Sequence, residues 1–168
     1  IDTALGPPKL IEAGRYSVSF AVAVATGKYQ YHMPLHRQMV QMAGQGLIVS
    51  VAALWDQLVA LARHLMPSYK ALRQHILTSS VVGADETRWP LLDGQGKLWW
   101  AWSVCGAKGV WYRIAKSRSH EEAIELLGDF EGTVVSDAYA GYDALVKVRK
   151  RNGKPLQLAH CWAHVRRK

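Results

Sequence analysis

With 168 residues, 49% hydrophobic and 20% charged, the chain has apolar material for one domain and a smaller appendage, which excludes wholesale disorder. Two cysteines exclude a disulfide framework, and the lack of a signal-peptide pattern or a membrane-length apolar run points to a cytoplasmic protein with no membrane partner. The formal charge of +8 has one source: residues 1–146 carry 13 basic and 13 acidic side chains, whereas residues 147–168 carry only basic ones, a cluster that attracts DNA or RNA unless it is simply a solvated tail.

Gly6-Pro7-Pro8 and Gly14 predict an extended lead-in. The Ala-rich apolar run from Ser17 to Tyr29 predicts a helix ending near Gly27. Pro34 opens a second helical run with Leu35, Met39, Val40 and Met42 at near-helical spacing, and Gly44-Gln45-Gly46 breaks it. Ser50 is placed to cap a third helix whose stripe is Val51, Leu54, Trp55, Leu58, Leu61, Ala62 and Leu65. Pro67 is expected to interrupt that run before Tyr69, Leu72, His75 and Ile76 continue it. Helix, Gly-containing turn, helix is also the layout of a helix-turn-helix, although many helical hairpins share it without touching DNA.

After Ser79-Ser80 the periodicity changes. Val81 to Asp85 predicts a short buried strand, and Asp93 to Gly96 a turn. Leu98 to Val104 and Val110 to Ile114 are aromatic-rich strands, in which Trp99, Trp100 and Trp102 are expected to pack rather than stack on bases. Ser119 starts a helix with Glu121 and Glu122 in its first turn. Thr133 to Asp137 is a second buried strand, Gly141 to Val148 a short helix, Leu156 to Cys161 a last strand, and Trp162 a helix start. The expected fold is α/β: an all-helical segment over residues 1–78, then a mixed sheet flanked by helices over residues 79–168.

Two strands run into a carboxylate, Asp85 and Asp137. Neighbouring strands of this design would bring the two together, where a divalent cation, Mg²⁺ by preference for oxygen, would offset their repulsion. Two such ions can activate an attacking oxygen and stabilise the leaving one in phosphoryl transfer. Either residue could equally be a helix cap or a turn residue. His160, Cys161 and His164 are too few for a structural zinc, and His164 fits better beside DNA or a carboxylate. No local signature supports Cys161 as a nucleophile.

Ala84-Asp85-Glu86-Thr87-Arg88-Trp89-Pro90-Leu91-Leu92 resembles the first catalytic block of bacterial transposases of the insertion-sequence-66 family. Ser136-Asp137-Ala138-Tyr139-Ala140-Gly141-Tyr142-Asp143 is similar to their second block, D-x-Y-x-G-Y. His160 through Lys168 resembles the C-W-A-H-x-R-R-K element that follows. Met33 to Gln38 and Gly46 to Trp55 are similar to the helical segment upstream, so matching segments run from about Pro8 to Lys168.

The resemblance implies a ribonuclease H-like fold and a DDE mechanism, with Asp85 and Asp137 as the first and second catalytic and metal-holding residues for Mg²⁺ or Mn²⁺. It implies strand cleavage and strand transfer at transposon ends, with DNA ends and target as partners, a homo-oligomer when full length, and a nucleoid-associated place in the bacterial cytoplasm. The third acidic residue of the family lies beyond the C-W-A-H element, so the chain is expected to be a catalytically incomplete fragment, with an exposed apolar sheet face where the helix carrying that residue should pack. Lys147, Arg149, Lys150, Arg151, Lys154, His164, Arg166, Arg167 and Lys168 are the expected DNA-binding residues. Two rival readings use the same residues: a non-catalytic DNA-binding remnant of a transposase, and a metal-dependent nuclease of related fold.

Overall fold

The computed structural model describes residues 6–91, 98–137, 139–153 and 156–166. The chain divides into two compact units, Ile1–Pro67 and Ser68–Lys168.

The first unit is helical. Helix α1 spans Val18–Ala25 and runs into a π-helical turn, Thr26–Gln30. Ser17 caps α1 by accepting from the Phe20 backbone N–H at 3.3 Å. Helix α2, Leu35–Gly44, ends before Gly46, whose φ of +87° is the left-handed conformation that glycine tolerates. Ser50 caps α3, Val51–Ile76, by accepting from the Ala53 N–H at 3.1 Å. Val24, Leu35, Val49, Leu54 and Leu58 form the core of this unit.

Helix α3 belongs to both units and runs through Pro67 without a break, where the sequence predicts an interruption. Proline removes one intrahelical hydrogen bond, leaving the Arg63 carbonyl without its N–H partner. Residues 62–72 are all exposed, so water can take that bond and the helix continues.

The second unit is a five-stranded mixed sheet in the order β3-β2-β1-β4-β5. Strand β1 is Val81–Pro90, β2 Leu98–Gly106, β3 Gly109–Ala115, β4 Thr133–Ser136 and β5 Gln157–His160. The first three pair antiparallel, and β1–β4 and β4–β5 pair parallel. Helix α4, His120–Leu127, and helix α5, Ala140–Arg151, make the crossovers that parallel pairing needs, and α6, Trp162–Val165, follows β5. This is the α/β class expected, a mixed sheet flanked by helices and preceded by a helical segment. The predicted turn at Asp93–Gly96 lies outside the described residues. Strand β1 is longer than predicted, because Glu86 to Pro90 stay paired with Trp102 to Leu98.

One face of this sheet carries the core. Val82, Ala84, Val104, Trp102, Trp111 and Val134 pack there with Ile76, Leu126, Leu127, Tyr142 and Leu145 from the helices. The aromatic strand splits by alternation: Trp102 is fully buried and Trp100 packs against the core, while Trp99 pairs with Trp89 on the opposite face. That opposite face leaves Val81, Trp89, Val110, Tyr112 and Ile114 exposed.

Candidate active site

The parallel register of β1 and β4 pairs Val81 with Thr133, Val82 with Val134 and Gly83 with Val135. Asp85 lies two residues beyond Gly83 within β1, and Asp137 two residues beyond Val135, just past the end of β4. Adjacent strands lie about 4.8 Å apart, which sets the scale of the separation between the two backbones. Alternation places Val82, Ala84 and Val134 in the core and leaves Asp85 exposed and Asp137 half-buried. Asp137 lies just past the carboxyl end of β4, the edge at which parallel strands characteristically present ligand-binding groups. Both carboxylates are oriented by backbone donors: Asp137 Oδ1 accepts from the Tyr139 N–H at 3.1 Å, and Asp85 Oδ1 from the Glu86 N–H at 3.0 Å.

Behind this pair sits a buried ion pair. Glu86 follows Asp85, so its side chain turns to the core face, where it is fully buried. Its Oε1 accepts from Arg118 Nε at 2.8 Å and lies 2.6 Å from Arg118 Nη2. Its Oε2 accepts from the Tyr142 hydroxyl at 3.0 Å. The same Arg118 Nη2 stands 3.6 Å from Asp137 Oδ2. Burial pushes the Glu86 carboxyl up, and the bonds from Arg118 and Tyr142 oppose that shift. Burial works against the charge of Arg118, but pairing with Glu86 outweighs it, so its net shift is upward. Burial, then the neighbouring Glu86 charge, drives the Tyr142 hydroxyl far up, so it stays a proton donor.

The loop between β3 and α4 is held so that Arg118 cannot wander. The Trp102 indole donates to the Ser117 carbonyl at 3.2 Å, and the Tyr139 hydroxyl donates to the Arg118 carbonyl. The guanidinium lies over the Tyr139 ring at 4.0 Å and near the Trp100 ring at 5.1 Å. Gly141 permits this arrangement, because a Cβ there would collide with the Tyr139 ring.

Hard carboxylate oxygens such as those of Asp85 and Asp137 suit Mg²⁺ or Mn²⁺. Mg²⁺ is commonly held by one or two carboxylates, with waters and substrate phosphates completing its shell. Among the described residues no group of three His, Cys, Asp or Glu side chains converges.

The expected DNA-binding residues separate into distinct groups. Lys147, Lys150 and Arg151 are exposed on α5, and Arg166 is exposed after α6. Arg149 does not join them, which corrects the sequence reading. It is 7% exposed, and its guanidinium donates to the Phe130 carbonyl at 2.7 Å and to Asp129 Oδ1 at 3.2 Å. Helical rotation turns it inward while its neighbours face out. His164 is half-buried, and its N–H donates to the Cys161 carbonyl at 3.0 Å. The His164 backbone and ring, with the Ala163 N–H, hold the Cys161 thiol below its usual range. Lys154, Arg167 and Lys168 lie outside the described residues.

Sequence reading left Glu86 and Arg118 out of the site. Glu86 carried a usable signal: it continues the buried alternation of Val82 and Ala84, and a carboxylate at a core position requires a cationic or donor partner. Arg118 carried none, since a loop arginine 32 residues away declares no partner in sequence.

The profile of the Transposase IS66 family matches residues 13–168. The uncharacterized protein y4jD of Sinorhizobium fredii (strain NBRC 101917 / NGR234) is 33% identical over 98% of this chain and 35% of its own length. The uncharacterized protein y4qI of the same strain is 32% identical over 98% of this chain and 33% of its own length. The chain thus spans about a third of the length of the curated relatives it matches. Likeness to solved structures is distant. A chain of the Mos1 strand transfer complex aligns over 94% of this chain and 60% of its own, at 13% identity and a TM-score of 0.34. A chain of the simian T-cell lymphotropic virus intasome in complex with PP2A regulatory subunit B56 gamma aligns over 48% and 31%, at 13% identity and 0.38.

Proposed function

Since the chain belongs to the Transposase IS66 family, we propose that it forms part of the catalytic domain of a DNA transposase, with Asp85 and Asp137 as two carboxylate ligands for Mg²⁺ or Mn²⁺. The observation that supports this reading is the parallel pairing of β1 and β4 as far as Gly83 and Val135, each two residues before one of the two carboxylates. When bound, the divalent cation supplies Lewis-acid activation for attack on a DNA phosphate. The chain's own residues do the rest. Asp85 and Asp137 would present the oxygen ligands, oriented by the N–H groups of Glu86 and Tyr139. Lys147, Lys150, Arg151 and Arg166 offer exposed charge for DNA phosphates, joined by Lys154, Arg167 and Lys168 in the sequence.

Cleavage and strand transfer are proposed for a protein of the length of the curated relatives, of which this chain spans about a third. In the helical unit no Lys or Arg lies between Arg37 and Arg63, so the leading turns of α3 have no cation for phosphates, and the basic surface of the second unit is the better DNA contact. The test is cleavage of duplex DNA bearing the element's ends, using a protein that continues through the third carboxylate. Mg²⁺-dependent nicking is expected. Asp85→Asn and Asp137→Asn should each abolish it while DNA binding stays within about twofold. Undiminished cleavage by either variant overturns the assignment.

A further inference from the structure

Arg118 faces two carboxylates at once and binds them unequally. Glu86 Oε1 receives both Nε and Nη2, at 2.8 and 2.6 Å, whereas Asp137 Oδ2 lies 3.6 Å away, beyond hydrogen-bond range. The other oxygen of Glu86 is saturated by Tyr142, and the guanidinium is sandwiched by Tyr139 and Trp100. Glu86 is fully buried, whereas the Asp137 side chain is partly open to solvent. Arg118 already stands at ion-pair distance from Asp137, and a guanidinium released from Glu86 would close on that carboxylate.

We propose that Glu86 is a positioning residue for the metal site: by holding Arg118 in a bidentate grip and balancing its charge, it keeps Asp137 available to a divalent cation. This inference rests on the reading of Asp85 and Asp137 as metal ligands. Without the Glu86 charge, Arg118 stands as an unbalanced cation beside Asp137, and it both repels a second cation and competes for the carboxylate.

Titration of the chain with Mn²⁺ alone, followed by electron paramagnetic resonance, tests this. Glu86→Gln keeps the shape of the side chain and removes its charge, and is expected to weaken Mn²⁺ binding roughly tenfold. The double variant Glu86→Gln/Arg118→Gln removes the stranded cation as well, and should bind within about threefold of the parent. Arg118→Gln alone should bind at least as tightly as the parent, which keeps the test open if Glu86→Gln does not fold. A purely structural role for the pair predicts no rescue in the double variant. Parent-like binding by Glu86→Gln, failure of the double variant to recover, or a tenfold loss in Arg118→Gln overturns the proposal. Asp137→Asn separates the two levels. If it leaves Mn²⁺ binding unchanged, the metal-site reading itself fails; if it abolishes binding while Glu86→Gln does not weaken it, only the role of Glu86 fails.

Discussion

Four basic side chains within five residues of α5 meet different fates, and rotation about the helix axis decides which. Lys147, Lys150 and Arg151 project into solvent, where their charge is free for a polyanion. Arg149 is turned into the protein, where it ties α5 to the turn after α4 through the Phe130 carbonyl and Asp129. A hydrogen bond from a charged group to a buried carbonyl is worth about 1.5–3 kcal/mol, and removing it also orphans the acceptor. Arg149→Ala is therefore expected to lower stability by about 2–3 kcal/mol in urea unfolding, with little change in the DNA affinity of the folded molecule. An unchanged midpoint with weakened DNA binding would instead place Arg149 on the DNA surface. Composition could count this arginine but not orient it: the charge cluster was legible, its inward member was not. The same holds for Glu86, whose register in β1 announced a buried carboxylate but whose counter-ion is supplied by a remote loop.

At the scale of elements, local periodicity carried most of the reading. Ser50 caps α3, the three antiparallel strands fall near their expected ranges, and the apolar stripe of α3 supplies Leu54 and Leu58 to the core of the helical unit. The departures have physical causes. Pro67 lies inside a continuous α3 because the helix there is exposed and water can replace the lost hydrogen bond. Strand β1 runs past Asp85 because β2 offers a partner as far as Leu98, a tertiary contact that a five-residue apolar pattern does not announce. Helix α5 matters as an element because Lys147, Lys150 and Arg151, at i, i+3 and i+4, share one face. If that face meets DNA, replacing all three by Ala should reduce the slope of log affinity against log salt by about 2.7, since each phosphate contact contributes about 0.9. The slope follows from titrating a labelled duplex at several salt concentrations. An unchanged slope would move the DNA contact elsewhere.

For the second unit as a whole, what matters is that residues 52 apart in sequence become strand neighbours. No local pattern contains that fact. The apolar run of each strand leads into a carboxylate, but the adjacency of β1 and β4 comes from the order β3-β2-β1-β4-β5, which the α4 crossover produces. The core lies on one face of the sheet, and the exposed Val81, Trp89, Val110, Tyr112 and Ile114 lie on the other, with Asp85 among them. The central claim is that Asp85 and Asp137 form a divalent-cation site, and paramagnetic line broadening measures it directly. Substoichiometric Mn²⁺ is added to the ¹⁵N-labelled chain and amide signals are followed by nuclear magnetic resonance. Signals of residues 84–86 and 136–139 are expected to broaden first, and Asp85→Asn and Asp137→Asn are each expected to remove the effect without disturbing the remaining spectrum. Broadening centred elsewhere, or broadening around Asp85 that persists in Asp137→Asn, would contradict that claim.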